Sequence, residues 1–151
     1  MERRAYRPPT DPLNSLISLS NSMLYTTVLS EIQKTYLHPA ISFLHEPLER
    51  RYSLSLDVAD IFKPIITTHV ILRLVNQGII NKDSFETDIG YRLKEDSLAA
   101  FIREYHKRMT ETLKHHTLKR NVSYRYLIRL ECYKLVKHVL GDKGYKPFGL
   151  G

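Results

Sequence analysis

The sequence predicts a single all-α domain of about four to six helices packed around one central buried helix at residues 56–76. Three observations predict it. Only six glycines occur in 151 residues, four of them in the last eleven, which disfavours an all-β architecture with its many turn glycines. Apolar residues recur at helical spacing through most of the chain. Cap residues and prolines punctuate the pattern where helices should start and stop. A hydrophobic fraction of 42% with 26% charged residues is that of a folded domain rather than a disordered chain.

The elements follow in order. Residues 1–12 form an extended lead-in, with Asp11 as helix cap and Pro12 at the first helical position, where a missing N–H has no intrahelical partner. Leu13, Leu16, Ile17, Leu24, Val28 and Ile32 then carry a helix to about Tyr36, and His38-Pro39 ends it. Residues 40–51 read as a loop. The helix at 56–76 is apolar nearly all round, with Pro64 as a kink or break and Gly78 as its stop. Asn81 to Glu86 reads as a capped turn, and Asp88 to Lys94 as a brief extended piece.

Asp96 or Ser97 opens a further helix, with Leu98, Phe101, Ile102, Tyr105, Met109 and Leu113 as its buried stripe. After a connector at 115–121, Ser123 caps a last helix with Ile128, Cys132, Leu135, Val136 and Val139 facing inward. It ends at Gly141. The helical domain thus spans 12–141, and 142–151 reads as a flexible C-terminal tail, loop or disorder.

Several function classes find no support. Cys132 has no partner for a disulfide or a zinc ribbon, a pattern that fits a reducing, cytoplasmic setting. No stretch is long and apolar enough for a membrane span, and no apolar segment follows the basic N-terminus as a secretory signal would require. A zincin needs a second His four residues after His45, where Glu49 stands. Nucleophile elbows, Walker loops and dinucleotide fingerprints are absent.

Charge points to a polyanion. Residues 1–100 hold eleven Lys/Arg against twelve Asp/Glu, whereas 101–151 hold twelve against four. Such asymmetry fits nucleic acid, with Lys119, Arg120, Arg125, Arg129 and Lys137 as candidate phosphate contacts and tyrosines as stacking platforms. A solvated basic face fits the same residues. His115-His116 reads as an exposed pair at a basic helix end.

The segment HEPLERRYSLSLDVADIFKP brings together His45, Asp57 and Asp60. The two aspartates are three apart, so one helix face presents both. Mixed His/carboxylate donors suit Mn²⁺, while Mg²⁺ would use the carboxylates with water and phosphate oxygens. The spacing also fits a plain helix start, with Asp60 paired to Lys63 or Arg73.

RPPTDPLNSLISLSNSMLY (residues 7–25), then ISFLHEP and YSLSLDVADIFKP, then YKPF at 145–148, resemble in order and spacing the CRISPR-associated endonuclease and integrase family "Cas-one". The resemblance covers nearly the whole chain. It implies an α-helical catalytic domain whose Mg²⁺ or Mn²⁺ ion is held by a Glu, a His and an Asp. His45 and Asp60 match the last two, and Asp57 the acidic residue beside them.

The family's Glu lies on a helix upstream of the first matched segment, so the resemblance makes this chain a C-terminal portion with two of three ligands, expected to be inactive alone. It further implies spacer insertion into a CRISPR array by phosphoryl transfer, in antiviral defence. DNA (protospacer and CRISPR repeat), a homodimer, a small second adaptation protein and a separately encoded N-terminal fragment are the partners it implies. A non-catalytic nucleic-acid-binding remnant, or a helical interaction module, is the alternative.

Overall fold

The computed structural model describes residues 11–35, 56–139, 144 and 146–149. Helix α1 spans Pro12–Gln33, α2 residues 56–62, α3 Thr67–Asn76, α4 Glu95–Thr110 and α5 Tyr124–Val139. Two short antiparallel hairpins accompany them, β1 (Phe85–Glu86) with β2 (Arg92–Leu93), and β3 (Thr112–His115) with β4 (Arg120–Ser123). The domain is mostly helical, as the sequence predicts.

Several helix ends fall where the caps place them. The Asn14 amide donates to Asp11 Oδ1 at 2.8 Å, and Pro12 opens α1. The Tyr126 amide donates to Ser123 Oγ at 3.0 Å, so Ser123 caps α5. Gly78 follows α3 at φ +70°, the left-handed conformation that glycine adopts without steric cost. Asn81 and Ser84 form a reciprocal capping box around a 3₁₀ turn, Lys82–Ser84.

The central helix is corrected: 56–76 is not one helix. Pro64 has no N–H to give, and the chain tightens into a turn at 63–66 between α2 and α3. The Ile66 amide donates to the Phe62 carbonyl at 2.8 Å, and Arg108 Nε donates to the Ile65 carbonyl at 3.0 Å. A side chain from α4 thereby satisfies a carbonyl that the break would strand.

The break lets the two halves serve two cores. Val58, Ala59 and Phe62 of α2 pack with Leu24, Val28, Ile32, Tyr105, Met109 and Ile128. Val70, Ile71 and Leu74 of α3 pack with Leu16, Ile80, Phe85, Leu93 and Phe101. Met23 touches both groups. Nor is the segment buried all round, since Leu56, Leu72 and Val75 are about half exposed.

The connector at 115–121 is a second correction. β3 and β4 pair with Leu113 opposite Val122 and His115 opposite Arg120. Leu113 therefore sits on a strand and not on the α4 stripe, of which Phe101, Tyr105 and Met109 are buried while Ile102 is exposed. A four-residue strand with one inward apolar residue carries too little alternation to be read locally. In α5, Ile128 and Cys132 are buried as expected, and the side chains of Val136 and Val139 lie outside the described residues.

Candidate functional site

Asp57 and Asp60 stand in the first turns of α2, where the positive helix end favours carboxylates. Both are exposed, on the side opposite the buried Val58, Ala59 and Phe62. Asp60 Oδ1 accepts from Lys63 Nζ at 2.6 Å, and 63% of its side-chain surface stays open. So the lysine pairing that the spacing allowed is present. Arg73 lies elsewhere, bound to Glu104 and Glu111.

His45 lies outside the described residues, so its position relative to Asp60 is not described. Among the described residues no three His, Cys, Asp or Glu side chains gather as a metal cage. Two open carboxylates on one helix face remain a fitting hard-donor pair for Mg²⁺ or Mn²⁺, short of a full set.

An apolar groove of about 280 Å³ runs beside them, lined by Leu13, Ile17, Lys63, Thr67, Ile71 and Leu72. Lys63, the partner of Asp60, forms part of its wall.

The basic residues divide into two kinds. Arg125 Nε and Arg129 Nε donate to the two oxygens of Glu31 at 2.8 and 2.7 Å, and Lys34 adds a third contact at 3.1 Å. Glu31 is fully buried between α1 and α5. Burial alone would raise its pKa, but hydrogen bonds from Arg129, Lys34 and Arg125 outweigh that and hold it below the usual carboxylate value. These arginines are internal counter-ions before they are phosphate contacts.

Arg120 and Arg129 flank the ring of Tyr126 at 5.4 and 5.6 Å. Lys119, at φ 54° in the β3–β4 turn, and Lys137 on α5 are exposed.

A polar cluster that the spacing did not single out links α3 to α4. Arg73 Nε lies 3.1 Å from Glu104 Oε1, an ion pair without hydrogen-bond alignment, and Arg73 Nη1 lies 3.2 Å from Glu111. Arg108 donates to Glu111 at 2.7 Å and covers the Tyr124 ring at 4.1 Å. Hydrogen bonding and charge from Arg108, with Arg73 adding to the charge, lower the pKa of Glu111 against the opposing effect of burial. His69 borders this cluster. Burial first, then the Arg108 charge, push its pKa below the ordinary histidine value. His69 and Arg73 share a face at i, i+4, and Glu104, Arg108 and Glu111 follow at i, i+4 and i, i+3 spacing, which are the local signals of the cluster.

Other nucleophiles are quiet. Burial, with Glu31 and Glu131 nearby, pushes the Cys132 thiol up to about 12. Tyr105 is raised to about 12 by burial, against its hydrogen bond with Thr27 at 2.6 Å. Among the described residues no helix is long and apolar enough to cross a membrane.

A family model described as CRISPR associated protein Cas1 matches residues 1–107. A CRISPR-associated endonuclease Cas1 of Thermodesulfovibrio yellowstonii is 55% identical over 149 residues, which is 98% of this chain and 46% of the relative. Its counterpart in Clostridium perfringens is 57% identical over 146 residues, 96% of this chain and 44% of the relative. This chain thus spans about half the length, or slightly less, of the curated relatives it matches.

Among solved structures, a Cas1 protein from Thermotoga maritima superposes with a TM-score of 0.77 at 42% identity, covering 95% of this chain and 44% of that one. A casposase bound to integration product reaches 0.75 at 22% identity, over 97% of this chain and 44% of its own, a likeness of fold alone.

Proposed function

This chain belongs to the CRISPR-associated Cas1 family, and we propose that it is the C-terminal portion of a metal-dependent DNA endonuclease and integrase, acting in spacer insertion by phosphoryl transfer. The observation that carries this reading is the 55% identity, over 98% of the chain, to a relative named as a CRISPR-associated endonuclease. The exposed aspartate pair on α2 supports it, because two carboxylates on one face offer hard oxygen donors.

On this reading His45 and Asp60 hold a Mg²⁺ or Mn²⁺ ion, Asp57 supports them, and the third protein ligand comes from the part of the longer relatives that this chain does not span. A bound divalent ion would offset charge on the phosphate oxygens. Lys63 holds only Oδ1 of Asp60, so the second carboxylate oxygen can turn to a cation while that contact stays or exchanges. Lys119, Arg120 and Lys137 supply salt-dependent, sequence-neutral attraction to the DNA backbone, with Arg125 and Arg129 contributing what their bond to Glu31 leaves free. Protospacer and CRISPR-repeat DNA are the substrates, and a second copy and a small second adaptation protein the partners. Without that third ligand, His45 and Asp60 would leave the site with little activity.

The test supplies the upstream part as a separate fragment and measures Mn²⁺-dependent cleavage and strand transfer. His45→Ala and Asp60→Ala should each abolish both activities. Unchanged rates in either variant would overturn the assignment.

A further inference from the structure

Away from the aspartates, the start of the β3–β4 hairpin and the C-terminal segment 146–149 enclose a cleft of about 340 Å³. Lys114, His115, His116, Lys134 and Lys146 line it, and no acidic side chain does. Neither Lys114 nor Lys146 has an ion-pair partner among the described residues, and both are exposed. His115 Nδ1 accepts from the Leu118 amide at 3.1 Å, which leaves the ring proton on Nε2 as a donor.

One wall is held from two sides. The buried Glu131 carboxylate accepts from the Phe148 amide at 3.1 Å and from Lys134 Nζ at 3.1 Å, and Lys134 also reaches the Lys146 carbonyl at 3.4 Å. Phe148 stacks on Phe62 of α2 with ring centroids 5.9 Å apart and planes within 9°. Phe62 stands two residues beyond Asp60, so the cleft wall and the helix bearing the aspartates share one aromatic contact.

Positive lining without an acid, donors on several sides and an anchored wall describe an anion subsite. Its volume suits one small group, and a flexible single strand can lower one phosphate into such a recess, where a stiff duplex, with a persistence length of about 50 nm, does not bend to follow it. We propose that this cleft holds a backbone phosphate of a single DNA strand, with Lys114 and Lys146 as its charge contacts and His115 Nε2 as a directional donor. The proposal rests on the nucleic-acid reading above and adds to it a defined seat for one strand, separate from the aspartates.

The experiment titrates the full chain with a labelled single-stranded oligothymidine across about 50–200 mM salt. The double variant Lys114→Gln/Lys146→Gln is compared with Lys82→Gln/Lys94→Gln, which removes the same two charges at exposed sites elsewhere. Circular dichroism checks that both are folded. The cleft variant should bind more weakly, with a log–log salt slope smaller by about 0.7 for each phosphate it no longer neutralises, and the control should change less.

Equal weakening in the two doubles would overturn the subsite and leave the nucleic-acid reading standing. No binding by the unaltered chain at low salt would overturn both. Inorganic phosphate, followed by its ³¹P line width, separates the sources. If the cleft variant loses phosphate binding but keeps the strand, the site is for a free anion and the proposal fails.

Discussion

Glu31 and Asp60 are both helix carboxylates beside a lysine three residues on, and there the similarity ends. Glu31 is sealed between α1 and α5, with two arginines and Lys34 completing its bonds. Asp60 stands open on α2 with one lysine and most of its surface in water. A buried charge is tolerated only when its partners are built in, so Glu31 is committed to the fold. An exposed carboxylate has weakly held, exchangeable partners and stays free to take another. By that contrast the basic residues also divide: Arg125 and Arg129 answer an internal charge, whereas Lys114, Lys119 and Lys146 do not.

Glu31→Ala should break the comparison hardest. It leaves Arg125 and Arg129 facing each other without their carboxylate, for a loss of about 3 kcal/mol in urea unfolding. That is the low end of the usual cost of about 3–5 kcal/mol for removing one partner of a buried pair, because the arginines keep partial access to water. A loss below about 1 kcal/mol would mean that the pair is no more committed than a surface one.

Acid should dissect the same contrast. The folded pKa of His69 lies below 6.5, so the unfolded chain takes up its proton first as pH falls. The stability from a neutral His69 is therefore present above 6.5 and declines as pH falls from there through the lower folded value. Glu31 and Glu111 have folded values below 4.5, so their contribution is intact above 4.5 and is lost as pH falls through those values. Urea midpoints against pH should show both declines, and His69→Gln should remove only the upper one. Persistence of the upper decline in that variant would remove His69 as its cause.

The smallest effect belongs to the exposed side. Asp60→Ala should shift unfolding stability by no more than about 1 kcal/mol, since an exposed pair contributes little. A larger loss would show that Asp60 serves the fold in the manner of Glu31.

Local chemistry in the sequence determined the helix boundaries that depend on neighbours. Asp11-Pro12, Ser123 and Gly78 act within a few residues of themselves, so their effect is readable without a third dimension. Pro64 announced a kink or a break; the chain breaks there, and Arg108, 43 positions away, satisfies the Ile65 carbonyl. The ordered segments around His45, Asp57 and Asp60 were enough to suggest the family, which the similarity to known Cas1 proteins bears out along nearly the whole chain.

What the tertiary structure alone decided is which charges turn inward. Arg125 and Arg129 read as an outward basic stripe, yet they meet Glu31 from 94 and 98 positions away. The β3–β4 pairing and the bond from Phe148 to Glu131 were equally hidden. A cap is a contact between near neighbours, written into a few consecutive residues. The partner of a buried charge is selected by whichever helix packs against it, and no local pattern in the sequence records that choice.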